Sequence, residues 1–215
     1  MVFTKGEVIT MNLIIFGATG GTGNAFVRLA LAAGHTVTAF VRTSSKLKTS
    51  HKDLNVEIGD AMQSADVKQA ITSDFDAVIS CLGANGLGKT TALSTMTTNI
   101  LDAMSIHEVK RIVYMASAGI NKEIPGITGF IAGKLLQNVL ADHQRAADLL
   151  EASETDWTVI RPMGLTNDGR TGDYRKARSG VPRGGRRISR EDVADFMLKT
   201  VSNHLYIRES IGLAN

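Results

Sequence analysis

The sequence predicts an α/β domain, a doubly wound and mostly parallel sheet in the strand order 3-2-1-4-5-6 with helices on both faces. Three observations carry that expectation. Short apolar runs bounded by turn residues recur along the chain, stretches with helical spacing lie between them, and the first run enters a glycine-rich turn, Gly17-Ala18-Thr19-Gly20-Gly21-Thr22-Gly23. Strands alternating with amphipathic helices make βαβ units, whose strands pair in parallel because each crossover returns the chain over the sheet.

Taken in order, Asn12 to Phe16 is an apolar run suited to a strand buried on both faces. Asn24 to Ala33 then shows helical spacing through Phe26, Val27, Ala30 and Leu31, and Thr36 to Val41 is a second strand. Val56 to Ile58 is a weak third strand, Ala65 to Ile71 a short helix and Ala77 to Leu82 a strong fourth strand. Thr91 to Met104 and Arg111 to Ala116 add a helix and a strand. Leu135 to Ala152 is the longest helix, with Leu135, Val139, Ala146, Leu149 and Leu150 on one stripe, and Trp157 to Ile160 is the strand after it. Ser189 can cap a last helix from Arg190 to Val201. The intervening stretch, Met163 to Arg187, is rich in Gly, Arg and Asp and reads as a long loop, of the kind that serves as a lid or binding segment or is disordered.

Composition narrows the function. The 215 residues suffice for one core, and no linker or repeat divides them, so residues 11–215 read as one domain preceded by an extension at 1–10. That extension lacks the apolar stretch of a signal peptide, and no apolar run reaches the ~20 residues needed to span a bilayer, so no membrane is expected and a cytoplasmic location is. Cys81 is the single cysteine, which excludes a disulfide framework and a multi-thiolate metal site. A net charge of +3 does not call for nucleic acid. The positive charge is concentrated, with Arg170, Arg175, Lys176, Arg178, Arg183, Arg186, Arg187 and Arg190 close together; it reads as a solvated loop balanced by Asp173, Glu191 and Asp192, or as a rim for an anionic substrate. No exposed apolar helix stands out, and a monomer or weak homodimer is expected.

The glycine turn is the sharpest signal. Missing side chains at Gly17, Gly20, Gly21 and Gly23 allow a tight turn, close approach of a pyrophosphate and close helix–strand packing, with Thr19 and Thr22 between them. The phosphates would rest on the helix N-terminus, where unpaired N–H groups and the macrodipole favour anions. A strand, this turn and a helix together make a Rossmann-type dinucleotide site. At the end of the second strand an NAD site commonly places a carboxylate on the ribose 2′-hydroxyl. Here stand Val41-Arg42-Thr43-Ser44-Ser45-Lys46, with no carboxylate before Asp53. A guanidinium at Arg42, with Ser44, Ser45 and Lys46 as further donors, suits a 2′-phosphate, so NADP and NADPH are expected over NAD and NADH. The alternative is that Arg42 stacks on adenine or lies in solvent.

In that order, the turn GATGGTG, the VRTSSK segment, Gly59-Asp60-Ala61, the strand AVISCLGA, Met115-Ala116-Ser117-Ala118 and Trp157-Thr158-Val159-Ile160-Arg161-Pro162 make the chain resemble the atypical short-chain dehydrogenase/reductases. Within them it is similar to the group holding biliverdin-IXβ reductase (flavin reductase) and to the nitrogen-metabolite repressor relatives. The resemblance implies that Asp60 and Ala61 lie beside adenine, Leu82 and Gly83 along the ribose and pyrophosphate, Ser117 beside the nicotinamide, and Pro162 with Met163 at the floor near its carboxamide. It also exposes departures. Ordinary superfamily members use a Tyr-x-x-x-Lys pair for proton transfer, and alignment on Trp157 and Pro162 puts Val139 and His143 at those positions. Biliverdin-IXβ reductase-like chains often carry histidine after the proline, where Met163 stands here.

The functional expectation is an NADPH-dependent reductase that passes hydride to a small planar acceptor, a flavin or quinone, with Ser117 and His143 assisting and Arg170 available to a flavin phosphate. The alternative is a regulatory protein that senses NAD(P) without turnover. Nucleotide-sugar epimerisation is weakened by the missing pair. Cys81 reads as a buried strand residue, because no neighbouring motif would lower its pKa.

Overall fold

The structure, a computed structural model, describes residues 10–47, 49–84, 86–121, 123 and 134–215, so most of the expected extension at 1–10 lies outside the described residues. β1 (Asn12–Phe16), α1 (Gly21–Ala32), β2 (Thr36–Val41), β3 (Leu54–Ile58), α2 (Ser64–Ala70), β4 (Ala77–Ser80), α3 (Ala92–Ile106), β5 (Arg111–Met115), α4 (Gln137–Ala152) and β6 (Asp156–Pro162) form the expected series. The chain continues through β7 (Gly164–Thr166), β8 (Arg175–Ala177), β9 (Arg187–Ser189), α5 (Arg190–Ser202) and β10 (Glu209–Ala214).

The main sheet has the order β3-β2-β1-β4-β5-β6-β10-β8. Its first six strands are all parallel and reproduce the expected order. β10 then adds parallel to β6, and β8 closes the edge antiparallel to β10. Alternation on β1 explains the two-sided burial. Leu13 and Ile15 enter the core under α1 and α5, whereas Ile14 and Phe16 enter the core under α2, α3 and α4. Each face is covered, so the central strands β1 and β4 are buried almost throughout.

The structure departs from the expected series in three places. The 163–187 stretch is not a plain loop: β7 and β9 pair in parallel as a small second sheet, and β8 joins the main one. The C-terminal strand β10 lies outside the expected series. Three-residue strands are too short for a period, and the alternating small and apolar residues of Ser210-Ile211-Gly212-Leu213-Ala214 become a strand only beside β6. The boundary of β4 also retreats to Ser80, where its pairing with Phe16 and Tyr114 ends.

Candidate functional site at the carboxyl edge of the sheet

Parallel pairing brings the ends of β1 to β6 to one edge, where ligands bind in open α/β sheets. At the centre is the turn between β1 and α1. Gly17 has φ +84°, and a Cβ there would lie 2.5 Å from the Cys81 carbonyl oxygen. A Cβ on Gly23 would lie 2.1 Å from the Gly17 carbonyl oxygen, so the helix can start this close only with glycine. The Gly20 amide closes the turn by donating to Gly17 O at 3.1 Å. Thr19, Gly20 and Gly21 are exposed at the mouth, and Thr22 and Gly23 are buried beneath it. No side chain caps α1 at Gly20, and its first turn holds no acidic residue. That arrangement fits a phosphate, which would accept from the first-turn amides at the positive end of the helix.

Around this centre the other strand ends fall into place. Arg42, Ser45 and Lys46 are exposed past β2, and Ser44–Lys46 forms a single 3-10 turn. Among the described residues no carboxylate pairs with Arg42 or Lys46. Gly59 past β3 is needed because a Cβ would meet the Phe40 ring at 2.6 Å. Asp60 is half-buried; its Oδ1 accepts from the Met62 amide at 3.0 Å, and its own amide donates to Asp66 Oδ2 at 2.9 Å. The carbonyl of buried Ala61 accepts from Asn99 Nδ2 at 2.9 Å. Past β4, Leu82 is half-buried and Gly83 exposed. Cys81 is buried and its thiol is pushed up to about 12 by burial, which leaves it un-ionised.

The far side of the edge holds the residues expected near the nicotinamide. Ser117, past β5, is half-buried and its Oγ donates to the Ala118 carbonyl at 3.1 Å. The Ala118 amide donates to the Pro162 carbonyl at 2.9 Å, which sets the end of β5 beside Pro162, and Met163 follows half-buried. His143, expected to assist beside Ser117, is buried. Its ring is buried in α4 against Tyr114, with Nδ1 3.0 Å from the Tyr114 hydroxyl, and burial lowers its pKa to about 4. The imidazole is therefore held neutral, with Nδ1 engaged by a core tyrosine. Val139, one turn earlier, is half-buried.

The basic segment is tied down rather than loose. Asp192, fully buried on α5, accepts from the amides of Thr171 and Gly172, both at 2.8 Å, and from Thr171 Oγ1 at 2.9 Å. It therefore holds backbone, not the arginines it was expected to balance. Burial alone would raise its pKa, but these bonds outweigh burial and lower it. Ser189 caps α5 as expected, accepting from the Asp192 amide at 2.9 Å. Arg170, expected to be available to an anion, lies 3.5 Å from Asp195 Oδ1, and Tyr174 donates to Asp195 Oδ2 at 2.8 Å.

Two residues near the edge have places that the sequence does not specify, although Arg190 is expected as one member of the basic cluster. Asp142, fully buried on α4, accepts from the amides of Leu93 and Ser94 at 2.9 and 3.2 Å, and from Ser94 Oγ at 2.7 Å, so it closes the N-terminus of α3. Arg190 lies over Gly21 of the glycine turn. Neither has a local sequence signal, because each acts on a partner far along the chain.

Comparison with known proteins agrees with this geometry. Residues 17–204 match the model of a family described as NAD(P)H-binding. An uncharacterised chloroplastic protein of Arabidopsis thaliana is 31% identical over 184 residues, 79% of this chain; the match spans 66% of that protein's length. A short-chain dehydrogenase/reductase of Veillonella parvula in complex with NADP has a TM-score of 0.83 at 19% identity, covering 96% of this chain and 95% of that one. ChuY of Escherichia coli O157:H7, described as an anaerobillin reductase, scores 0.79 at 22% identity, over 94% and 96%. At such identities the likeness is one of fold. Among the described residues no helix is long and apolar enough to cross a membrane.

Proposed function

The chain belongs to the NAD(P)H-binding family, and on that premise we propose that it is an NADPH-dependent reductase of a small planar acceptor, a free flavin or a quinone. The observation that carries this reading is the pairing of an open, glycine-lined helix end with a far edge at which, among the described residues, His143 is buried and the Glu123 carboxylate is paired with Arg161. His143 is buried and neutral and Val139 is apolar, so chemistry that draws its protons from water suits the site better than chemistry needing a tyrosine donor. That a protein of this fold is an anaerobillin reductase supports reduction of a conjugated ring system.

The amides opening α1 would hold the pyrophosphate, Arg42 with Ser45 and Lys46 the 2′-phosphate, and Asp60 with Ala61 the adenine. Bound there, the reduced cofactor supplies hydride from its nicotinamide. Ser117 would orient the acceptor through its hydroxyl, and Pro162 with Met163 would back the nicotinamide. Holding the two rings in contact supplies ~7–11 kcal/mol of the barrier, which suffices without a strong general acid.

The test is a fluorescence titration with NADPH and NADH, followed by addition of FMN, riboflavin and a small quinone while the nicotinamide absorbance is followed. The expected result is NADPH binding and acceptor-dependent oxidation, slowed about tenfold in Ser117→Ala with NADPH affinity retained. Oxidation no faster than without protein would sink the reductase reading. Tight binding without turnover would assign a nucleotide-sensing role instead.

A further inference from the structure

The turn that opens α1 is shared with a cation from the other end of the chain. Arg190 is the first residue of α5, the helix packed on α1. A Cβ added to Gly21 would lie 2.5 Å from Arg190 Cδ and 3.0 Å from Arg190 Nε, so the arginine stem rests against Gly21 at the uncapped end of α1. Its head has a neutral partner, Asn167 Oδ1, at 2.7 Å from Nη1.

The nearby carboxylates are committed elsewhere. Glu191 pairs with Arg28, Asp168 Oδ2 accepts from Thr166 Oγ1 at 2.7 Å, and Asp192 holds Thr171, Gly172 and Ser189. Among the described residues no acidic group pairs with Arg190. A guanidinium beside the positive end of a helix is unfavourable by itself and becomes favourable when an anion shares the space between them.

We propose that Arg190 is a cofactor-binding residue that clamps the pyrophosphate of the dinucleotide against the amides of α1. Gly21 is then glycine to admit the arginine, a role different from those of Gly17 and Gly23, which make room for backbone. The proposal rests on the dinucleotide seating in this turn and not on whether hydride transfer follows.

Calorimetric titration of wild type, Arg190→Met, Arg190→Lys and Asn167→Ala with NADPH, NADH and 2′-AMP tests it, with melting temperatures recorded alongside. Arg190→Met is expected to weaken NADPH and NADH alike, by about ten- to a hundredfold, and Arg190→Lys by less, since one charge-assisted clamp is removed in the first and blunted in the second. Affinity for 2′-AMP, which has no pyrophosphate, stays within about twofold in Arg190→Met, and the salt dependence of NADPH binding becomes shallower. NADPH affinity within about twofold of wild type in Arg190→Met overturns the proposal. So does Asn167→Ala if it reproduces the whole loss, because Arg190 would then act only by holding the β7 segment. Failure of acceptor reduction with intact NADPH affinity would sink the reductase reading and leave this proposal standing.

Discussion

α1 and α3 both follow adjacent strands, β1 and β4, and lie over opposite faces of the sheet, yet their N-termini are treated in opposite ways. At α3 the first-turn amides are all answered within the chain: Ala92 donates to Thr90 Oγ1 at 3.0 Å, and Leu93 and Ser94 donate to Asp142. Arg145 adds its charge 3.2 Å from the same carboxylate. At α1 three glycines stand in or next to the first turn, among the described residues no side chain caps it, and the cation Arg190 rests against Gly21. Any helix start favours anions. What separates a ligand site from a closed helix end is whether the protein supplies the anion itself.

The strongest way to break that contrast is to give α1 a cap of its own. Gly20 has φ −73° and ψ 162°, the conformation of an ordinary N-cap, and a Cβ there would approach nothing closer than Gly17 O at 3.4 Å. Gly20→Asp should therefore keep or slightly raise stability, by up to about 1 kcal/mol, while lowering NADPH affinity at least ~100-fold, because the carboxylate would take the amides and repel phosphate. Undiminished NADPH affinity in this variant would show that the phosphates do not use α1.

The converse change removes the plug from α3. Asp142→Ala leaves the buried Leu93 amide, the half-buried Ser94 amide and the Ser94 hydroxyl without their acceptor and should cost about 2–4 kcal/mol in denaturant unfolding, with a much smaller effect on NADPH affinity. Asp142→Asn should cost less, since an amide oxygen still accepts. The carboxylate also predicts a pH dependence. Burial by itself would raise the Asp142 pKa, but Ser94, the two amides and Arg145 together lower it. A depressed folded-state pKa means that the stabilisation is complete above the ordinary carboxylate range and drains away as the pH falls through that range toward the folded value. Unfolding curves of wild type should therefore lose more stability on acidification than those of Asp142→Asn; parallel curves would remove Asp142 from the account.

The smallest expected effect refines which dinucleotide α1 serves. Arg42→Ala should reduce the preference for NADPH over NADH by about tenfold, with NADH affinity nearly unchanged. Equal affinities for both cofactors in the wild type would return Arg42 to the role of a surface arginine.

What could be read without the structure was whatever is written locally. The glycine turn, the apolar strands on either side of it, the carboxylate-free Arg42 segment and the Ser189 cap each place cause and consequence within a few residues, and period or turn chemistry reveals them. The basic stretch from Arg170 to Arg190 shows the limit of that legibility. Its charges are plain in the sequence, but which are satisfied depends on Asp192 and Asp195 reaching back to Thr171 and Tyr174, on Glu209 meeting Arg178, and on Asn167 meeting Arg190.

The sequence alone determined the class of the fold, the order of its first six strands and the turn at which a dinucleotide would seat, because those follow from side-chain period and from glycine's missing Cβ. Only the tertiary structure decided that His143 packs with Tyr114, that Asp142 closes α3 from 49 residues away, and that Arg190 rests on Gly21. Each of these depends on which atoms meet between segments far apart in the chain, and such a meeting leaves no periodic trace in either of them.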